Sequence, residues 1–290
     1  MSEAAAMSES SDGHYRRCVA PYYARLGSRL GYAMLLSRTR HFGWYEPGES
    51  PWRFTLAMRR MEVIAARKLA LPPGSRVLDA GCGVGDVART VARVTGAEVT
   101  GVDGIASDIA IARRRSADAP GGGGRTRFLS ADYHELPFPD ASFDGLYTME
   151  SFVHSADPKR ALAEFHRVLR PRGRLGMLEY SSTPEGRLTP AAYTVLRRVC
   201  ELSAMPAMLM LTHGRLEQLL DDAGFAVESV QDATPNVLPM LRAFSVLGSV
   251  PYGLARAVGH GDALVNAMSG VEMYRHQETW RYHIYVATKR

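Results

Sequence analysis

A chain of 290 residues with 46% hydrophobic and 22% charged residues excludes a disordered or fibrous protein, and its length favours one sizeable core with helical additions over two full domains. The formal net charge of +5 rests on 35 Lys and Arg, of which only Lys68, Lys159 and Lys289 are lysines; the bias fits a GC-rich genome or an anionic diphosphate partner, and scattered arginines without a recognition module argue against nucleic acid. Cys18, Cys82 and Cys200 have neither disulfide-framework nor metal-ligand spacing, so a reducing, cytoplasmic setting and no metal are expected.

The first 14 residues are small, polar and acidic and read as a loose tail rather than a signal peptide. Tyr22, Tyr23, Leu26, Leu30 and Met34 recur at helical spacing, a turn-rich segment HFGWYEPGES follows from His41 to Ser50, and a second amphipathic helix runs from Phe54 to Leu69 before the Pro72-Pro73-Gly74 stop. These helices predict a lid. Strands are then expected at 76–78, 99–102, 126–129, 145–148 and 174–179, with helices at 87–94, 105–115 and 161–169 between them. Strict alternation of this kind predicts a doubly wound, mostly parallel α/β sheet.

Further on, helices are expected over 189–202 and 215–223 and strands over 227–232 and 281–287. Between those two strands lies an insertion, about 235 to 275, rich in Leu, Met, Val and Gly, which we read as a cap over the ligand crevice. The chain is thus divided into an N-terminal tail and lid (1–70), a cofactor-binding core (71–182) and a remainder carrying the cap (183–290). The longest apolar stretch, Ala204 to Leu211, is broken by Pro206 and too short to span a bilayer. A homo-oligomer is expected, though no residue pattern specifies the contact.

The chemistry concentrates at strand ends. In VLDAGCGVGD (Val77–Asp86), Gly81, Gly83 and Gly85 let the backbone turn tightly beside a ligand. Asp86 stands where a dinucleotide fingerprint needs its last glycine, which disfavours a dehydrogenase. Asp79 would repel a pyrophosphate but pairs with an ammonium group, so the implied ligand is cationic. Asp103, closing VTGVDG, is placed for ribose hydroxyls, and Asp132, in SADYHELPF, for an adenine amino group. A solvated-loop reading fits each acid singly and fits three successive strand ends poorly.

At this point the sequence resembles the class I S-adenosylmethionine-dependent methyltransferases over about residues 40–232, on VLDAGCGVGD, VTGVD, LPFPDASFDGLYTMES and RVLRPRGRL. The resemblance implies a Rossmann-like fold with a mostly parallel seven-stranded sheet and a helical cap. It implies S-adenosyl-L-methionine as cofactor and S-adenosyl-L-homocysteine as product, lined by Asp79, Gly81, Cys82, Gly83, Asp103, Gly104, Asp132, Tyr133 and Glu150. The YYARL, HFGWYEPGES and TMESFVH segments look like the sterol, tocopherol and prenyl diphosphate C-methyltransferases, which implies methylation of an isoprenoid carbon on a small apolar acceptor. O- or N-methylation of a phenol, sugar or alkaloid is the alternative. Arg172 departs from the family's Lys/Arg-Pro-Gly-Gly turn.

Three residues are candidates for catalysis. Glu150 matches a glutamate that lies beside the reacting carbon in the resembled enzymes; a carboxylate there stabilises a carbocation and takes its proton, and a simple cofactor or backbone contact is the alternative. His154, four residues on, shares its face if that segment is helical, and is otherwise a base for O- or N-methylation or a structural histidine. Glu179, ending the fifth strand, is a third acid on the same edge, or a satisfied loop acid. Tyr22, Tyr23, Trp44, Tyr45 and Tyr274 are candidates for lining the acceptor site or for packing the lid. Arg38, Arg40 and His41 are candidates for holding a diphosphate.

Overall fold

The computed structural model describes residues 39–118 and 125–290. The helix expected over 22–36, and with it Tyr22, Tyr23 and the flanking Cys18 and Arg38, lies outside the described residues. In chain order the elements are α1 (Phe54–Leu69), β1 (Arg76–Ala80), α2 (Asp86–Thr95), β2 (Glu98–Asp103), α3 (Ala106–Ala117), β3 (Thr126–Ser130), β4 (Phe143–Met149), α4 (Pro158–Val168), β5 (Leu169–Ser182), α5 (Pro190–Leu202), α6 (Pro206–Met210), α7 (Arg215–Asp222), β6 (Phe225–Asp232), α8 (Thr234–Ala257), α9 (Val265–Arg275) and β7 (Trp280–Lys289).

The strands form one seven-stranded sheet in the order β3-β2-β1-β4-β5-β7-β6, parallel except for β7, which is antiparallel to both its neighbours. Buried parallel strands read as continuous apolar runs because both faces are covered. Val77 points into one core with Val99, Tyr147 and Ile284, and Leu78 points into the other with Val102, Leu146 and Tyr285. Helices α1, α2, α3, α5, α8 and α9 contribute to the first core, α4 and α7 to the second, and α6 to both, through Met208 and Ala207. The order reverses at β1, so β1, β2 and β4 present their carboxyl ends to one crevice.

Local chemistry sets the element ends. Helix α1 buries Ala57, Met61, Ala65 and Leu69 at four-residue spacing and stops at Ala70, which takes φ 50 and returns its N–H to the Arg67 carbonyl. Helix α4 begins three residues earlier than its apolar period predicts, because Pro158 fits the first turn and the Asp157 carboxylate accepts from the Arg160 N–H. The inserted segment forms α8 and α9, which pack on each other and on α5 and α1. Helix α8 is 24 residues long and contains an 18-residue stretch with a mean hydropathy of 1.3, long and apolar enough by composition to cross a membrane, of which 28% is buried. In sequence it is no long apolar run, because Arg242, Ser245, Ser249 and two prolines interrupt it while leaving the helix intact.

Candidate active site

Each of the first four strands delivers a polar group to the crevice. Asp79, 2% exposed near the end of β1, accepts a 2.6 Å hydrogen bond from the Tyr147 hydroxyl on β4. Burial pushes its carboxyl up to about 7, against that hydrogen bond. The glycine turn follows. Gly81 has φ +92, and a Cβ there would lie 2.3 Å from the Ser151 Cβ; Gly83 has φ +50, and a Cβ on it would meet nothing within 4 Å, so its backbone faces open space. Cys82 is buried, and burial beside Asp79 and Asp103 holds its thiol protonated, so it is a packing residue and not a nucleophile.

Asp103 at the end of β2 accepts from the Gly83 and Ile105 backbone N–H groups, both at 2.8 Å, which places Gly104 in the turn between them. Burial raises its pKa against those two hydrogen bonds. After β3, Asp132 accepts from the His134 backbone N–H at 2.8 Å and from its ring at 2.6 Å, which puts the ring proton on Nδ1 and leaves Nε2 to accept from the Ser155 hydroxyl. Tyr133 donates to the Ser151 carbonyl at 3.1 Å, and Ser151 donates to the Ala80 carbonyl, tying the β1, β3 and β4 loops together. Asp86, the residue in the last-glycine position, pairs with Arg89 and Arg115 at the start of α2.

Glu150, just past β4, takes φ 53, a left-handed conformation uncommon outside glycine. Its carboxylate accepts from the Phe42 N–H at 2.6 Å, the Tyr180 hydroxyl at 2.6 Å and the Tyr282 hydroxyl at 2.9 Å. Burial raises its pKa, opposed by the nearby His41 charge and by those donors. Glu150 and His154 both line one cavity of about 330 Å³, with Arg40, His41 and Tyr180 at the polar end. They do not share a helix face: the chain turns left-handed at Glu150 and makes a short 3-10 turn over Phe152–His154, with the His154 ring 2.7 Å from the Ala204 carbonyl. The rest of the wall is mostly apolar and comes chiefly from α5, α6, α8 and α9, including Met208, Leu241, Phe244 and Met273, with Ser203, Asn266 and Ser269 as its polar members.

Glu179 sits behind this surface. It is fully buried, accepts from the Ser151 and Phe152 N–H groups at 3.2 and 3.0 Å, and does not line the cavity. Burial lifts its pKa to about 8, so it is protonated at neutral pH, with its second oxygen and the nearby Thr148 hydroxyl having no other partner. Trp44, Tyr45 and Tyr274 are also absent from the cavity wall. Trp44 donates its ring N–H to Glu46, Tyr45 packs in a small core with Ala57, Met58 and Met240, and Tyr274 packs against the larger core. Arg40 and His41 are faced by acids: Arg40 pairs with Asp108 at 2.5 Å, and His41 lies 3.7 Å from Glu62, an ion-pair distance beyond hydrogen bonding. Burial lowers the His41 pKa, yet Glu62 and Glu150 outweigh it and the net shift is upward.

Sequence reasoning did not single out Tyr180. It lies directly opposite Tyr282 in the antiparallel β5–β7 pairing, and that register aims both hydroxyls at Glu150. The only available signal was the aromatic alternation of the last strand.

Residues 78–177 match the model of a methyltransferase domain family. The chain is 35% identical over 285 residues, 97% of each chain, to an S-adenosyl-L-methionine-dependent Diels-Alderase of Talaromyces variabilis. It is 34% identical over 182 residues, 62% of this chain and 46% of the relative, to a sterol 24-C-methyltransferase of Gibberella zeae. Its fold matches a geranyl diphosphate C-methyltransferase of Streptomyces coelicolor with a TM-score of 0.71, covering 97% of this chain and all of that one at 18% identity.

The residues present fit S-adenosylmethionine. Buried Asp79 and Asp103 have raised proton affinity, the condition that a neighbouring ammonium and a pair of hydroxyls relieve, and the open space at Gly83 lies between them. The chain belongs to the class I S-adenosylmethionine-dependent methyltransferases, with the sterol and prenyl C-methyltransferases among the enzymes it resembles.

Proposed function

We propose that the protein transfers a methyl group to a carbon of an isoprenoid or prenylated small molecule. One observation carries this reading: Glu150, the only carboxylate among the described residues in the wall of a mostly apolar cavity, is held by two tyrosine hydroxyls and a backbone N–H. S-adenosylmethionine, when bound by Asp79, the Gly81–Gly83 turn, Asp103 and Asp132, supplies the activated methyl group. The chain's own residues do the rest. As an acceptor alkene gains the methyl, positive charge develops on its neighbouring carbon, and the fixed carboxylate stabilises that charge without reorganising. Glu150 then takes a proton from the adjacent carbon, and the alkene re-forms. Burial raises its proton affinity, which strengthens it as a base.

Glu179 acts as a positioning residue. By gripping the amides of Ser151 and Phe152 it fixes the backbone that holds Glu150 in its left-handed conformation. Because Arg40 and His41 are already faced by Asp108 and Glu62, the polar end favours a neutral prenylated acceptor over a free diphosphate.

The relative aligned end to end supports a second reading, cofactor-dependent ring closure without methyl transfer. The same mostly apolar cavity would fold a linear polyene. The deciding experiment incubates the purified chain with methyl-labelled cofactor and a panel of prenyl diphosphates, sterols, prenylated indoles, phenols and linear polyenes, and locates new bonds by NMR. Label on an isoprenoid carbon is the expected result. Label on oxygen or nitrogen overturns the carbon reading and moves the base to His154, and an unlabelled cyclised product replaces transfer by the second reading.

A further inference from the structure

Along α8, one helix face changes its surroundings halfway. Met240 and Phe244 are covered by the loop before α1 and by α1 itself, with Phe54 stacked on Phe244 at 5.6 Å, and Ala243 between them is buried. The next turns of the same face, however, are bare: Leu247 is 43% exposed, Val250 69%, Leu254 68% and Val258 70%. A soluble helix normally turns such a face inward. Trp52, edge-on to Phe54 at 6.2 Å, extends the patch and is itself half exposed. Leu247 and Pro251 belong both to this patch and to the wall of the acceptor cavity, so the cavity opens where the apolar surface is bare.

We propose that this face docks on an anionic lipid surface, with α8 lying in the plane of the headgroups and the cavity mouth turned toward the acyl chains. Charge selects the occupant. The only charged residues of α8 are Arg242 and Arg256, both exposed, and the helix has no acid. An anionic headgroup layer neutralises both, whereas a second copy meeting this face about a two-fold axis would bring like charges together. A long helix with a bare apolar stripe, a basic flank and an aromatic at its rim has the composition of an in-plane amphipathic anchor. The inference stands on the surface alone and holds for either reading of the chemistry.

The test is co-sedimentation of the full chain with phosphatidylcholine vesicles, with and without about one third phosphatidylglycerol, beside the double variant Val250→Glu/Leu254→Glu. Both residues are exposed and neither lines the cavity, so the variant keeps its cofactor affinity and melting temperature, and both are measured. The wild type is expected to bind the anionic vesicles, to bind the neutral ones more weakly, and to release in high salt. The double variant is expected to lose at least about tenfold in partitioning. Wild type that stays in the supernatant, or a variant that binds as well as wild type, overturns the proposal. Light scattering that finds a dimer lost in the variant, with no vesicle binding, also overturns it and assigns the face to a second copy.

Discussion

At the scale of the residue, two substitutions test the proposed division between cofactor binding and chemistry. Replacing Glu150 by Gln keeps an acceptor oxygen for the Phe42 N–H and the Tyr282 hydroxyl, turns the Tyr180 hydroxyl from donor to acceptor, and removes the charge and the base. Turnover is expected to fall about 100-fold or more, the usual weight of a positioned base, while the cofactor dissociation constant stays within a few-fold in calorimetry. Unchanged turnover removes Glu150 from the mechanism. Asp79→Asn does the reverse. The Asp79 carboxyl, at about 7, must be ionised to face an ammonium, so cofactor affinity is expected to rise with pH through neutrality and binding to release a proton. In the Asn variant affinity drops by about tenfold or more and that proton release disappears, which titrations in two buffers of different ionisation enthalpy detect. Equal proton release in both proteins would place the titrating group elsewhere.

At the scale of the element, the backbone tolerates left-handed residues where glycine is the easier choice, at Ala70 after α1 and at Arg172 in the turn within β5. Ala70 is exposed and only its backbone is engaged, so Ala70→Gly is expected to raise stability by about 1 kcal/mol, or about 2 °C in melting temperature. A lower melting temperature would mean that the added freedom of the unfolded chain outweighs the relieved strain. The strands and helices themselves were legible because apolar periodicity reports burial: β1, β2 and β3 lie within two residues of expectation. The strand-end acids were legible too, since they sit at fixed offsets from the glycine turn. What surrounds Glu150 was not. Its left-handed φ, the cross-strand register that sets Tyr180 beside Tyr282, and the packing of Trp44 and Tyr45 away from the cavity all depend on contacts between segments far apart in the chain. The four-residue spacing would have set Glu150 and His154 on one face only in a helix, and the segment instead makes a short 3-10 turn whose Ser151 and Phe152 amides donate to the Glu179 carboxyl.

At the scale of the whole molecule, these buried acids give stability a pH dependence whose sign follows from their shifts. Asp79, at about 7, and Glu179, at about 8, hold protons in the folded chain where unfolded carboxyls have lost them. Folding therefore takes up protons, and the unfolding free energy falls as pH rises toward the folded values. His41, also shifted upward, has the same sign: its contribution is present below the unfolded histidine value and is lost as pH rises through the folded one. Groups of opposite sign act lower. His166, His213 and His283 are shifted downward by burial and oppose folding only once unfolded imidazoles protonate, below about pH 6.5. Carboxyls held down, such as Glu62 and Glu164, matter only as pH falls through the acid range. Between about pH 6.5 and 8 the raised groups set the slope, and Glu179 alone accounts for roughly 1 to 2 kcal/mol across that window. Calorimetry of the chain without cofactor is expected to show a melting temperature that drops by a few degrees over this interval. In Glu179→Gln, where a neutral amide still accepts from Ser151 and Phe152 and donates to Thr148, the drop should shrink to what Asp79, His41 and the other raised carboxyls, Asp103 and Glu150, leave. A wild-type melting temperature that is flat or rises, or a variant with the full wild-type slope, would mean that Glu179 is ionised in the folded chain and repels Glu150 instead of supporting it.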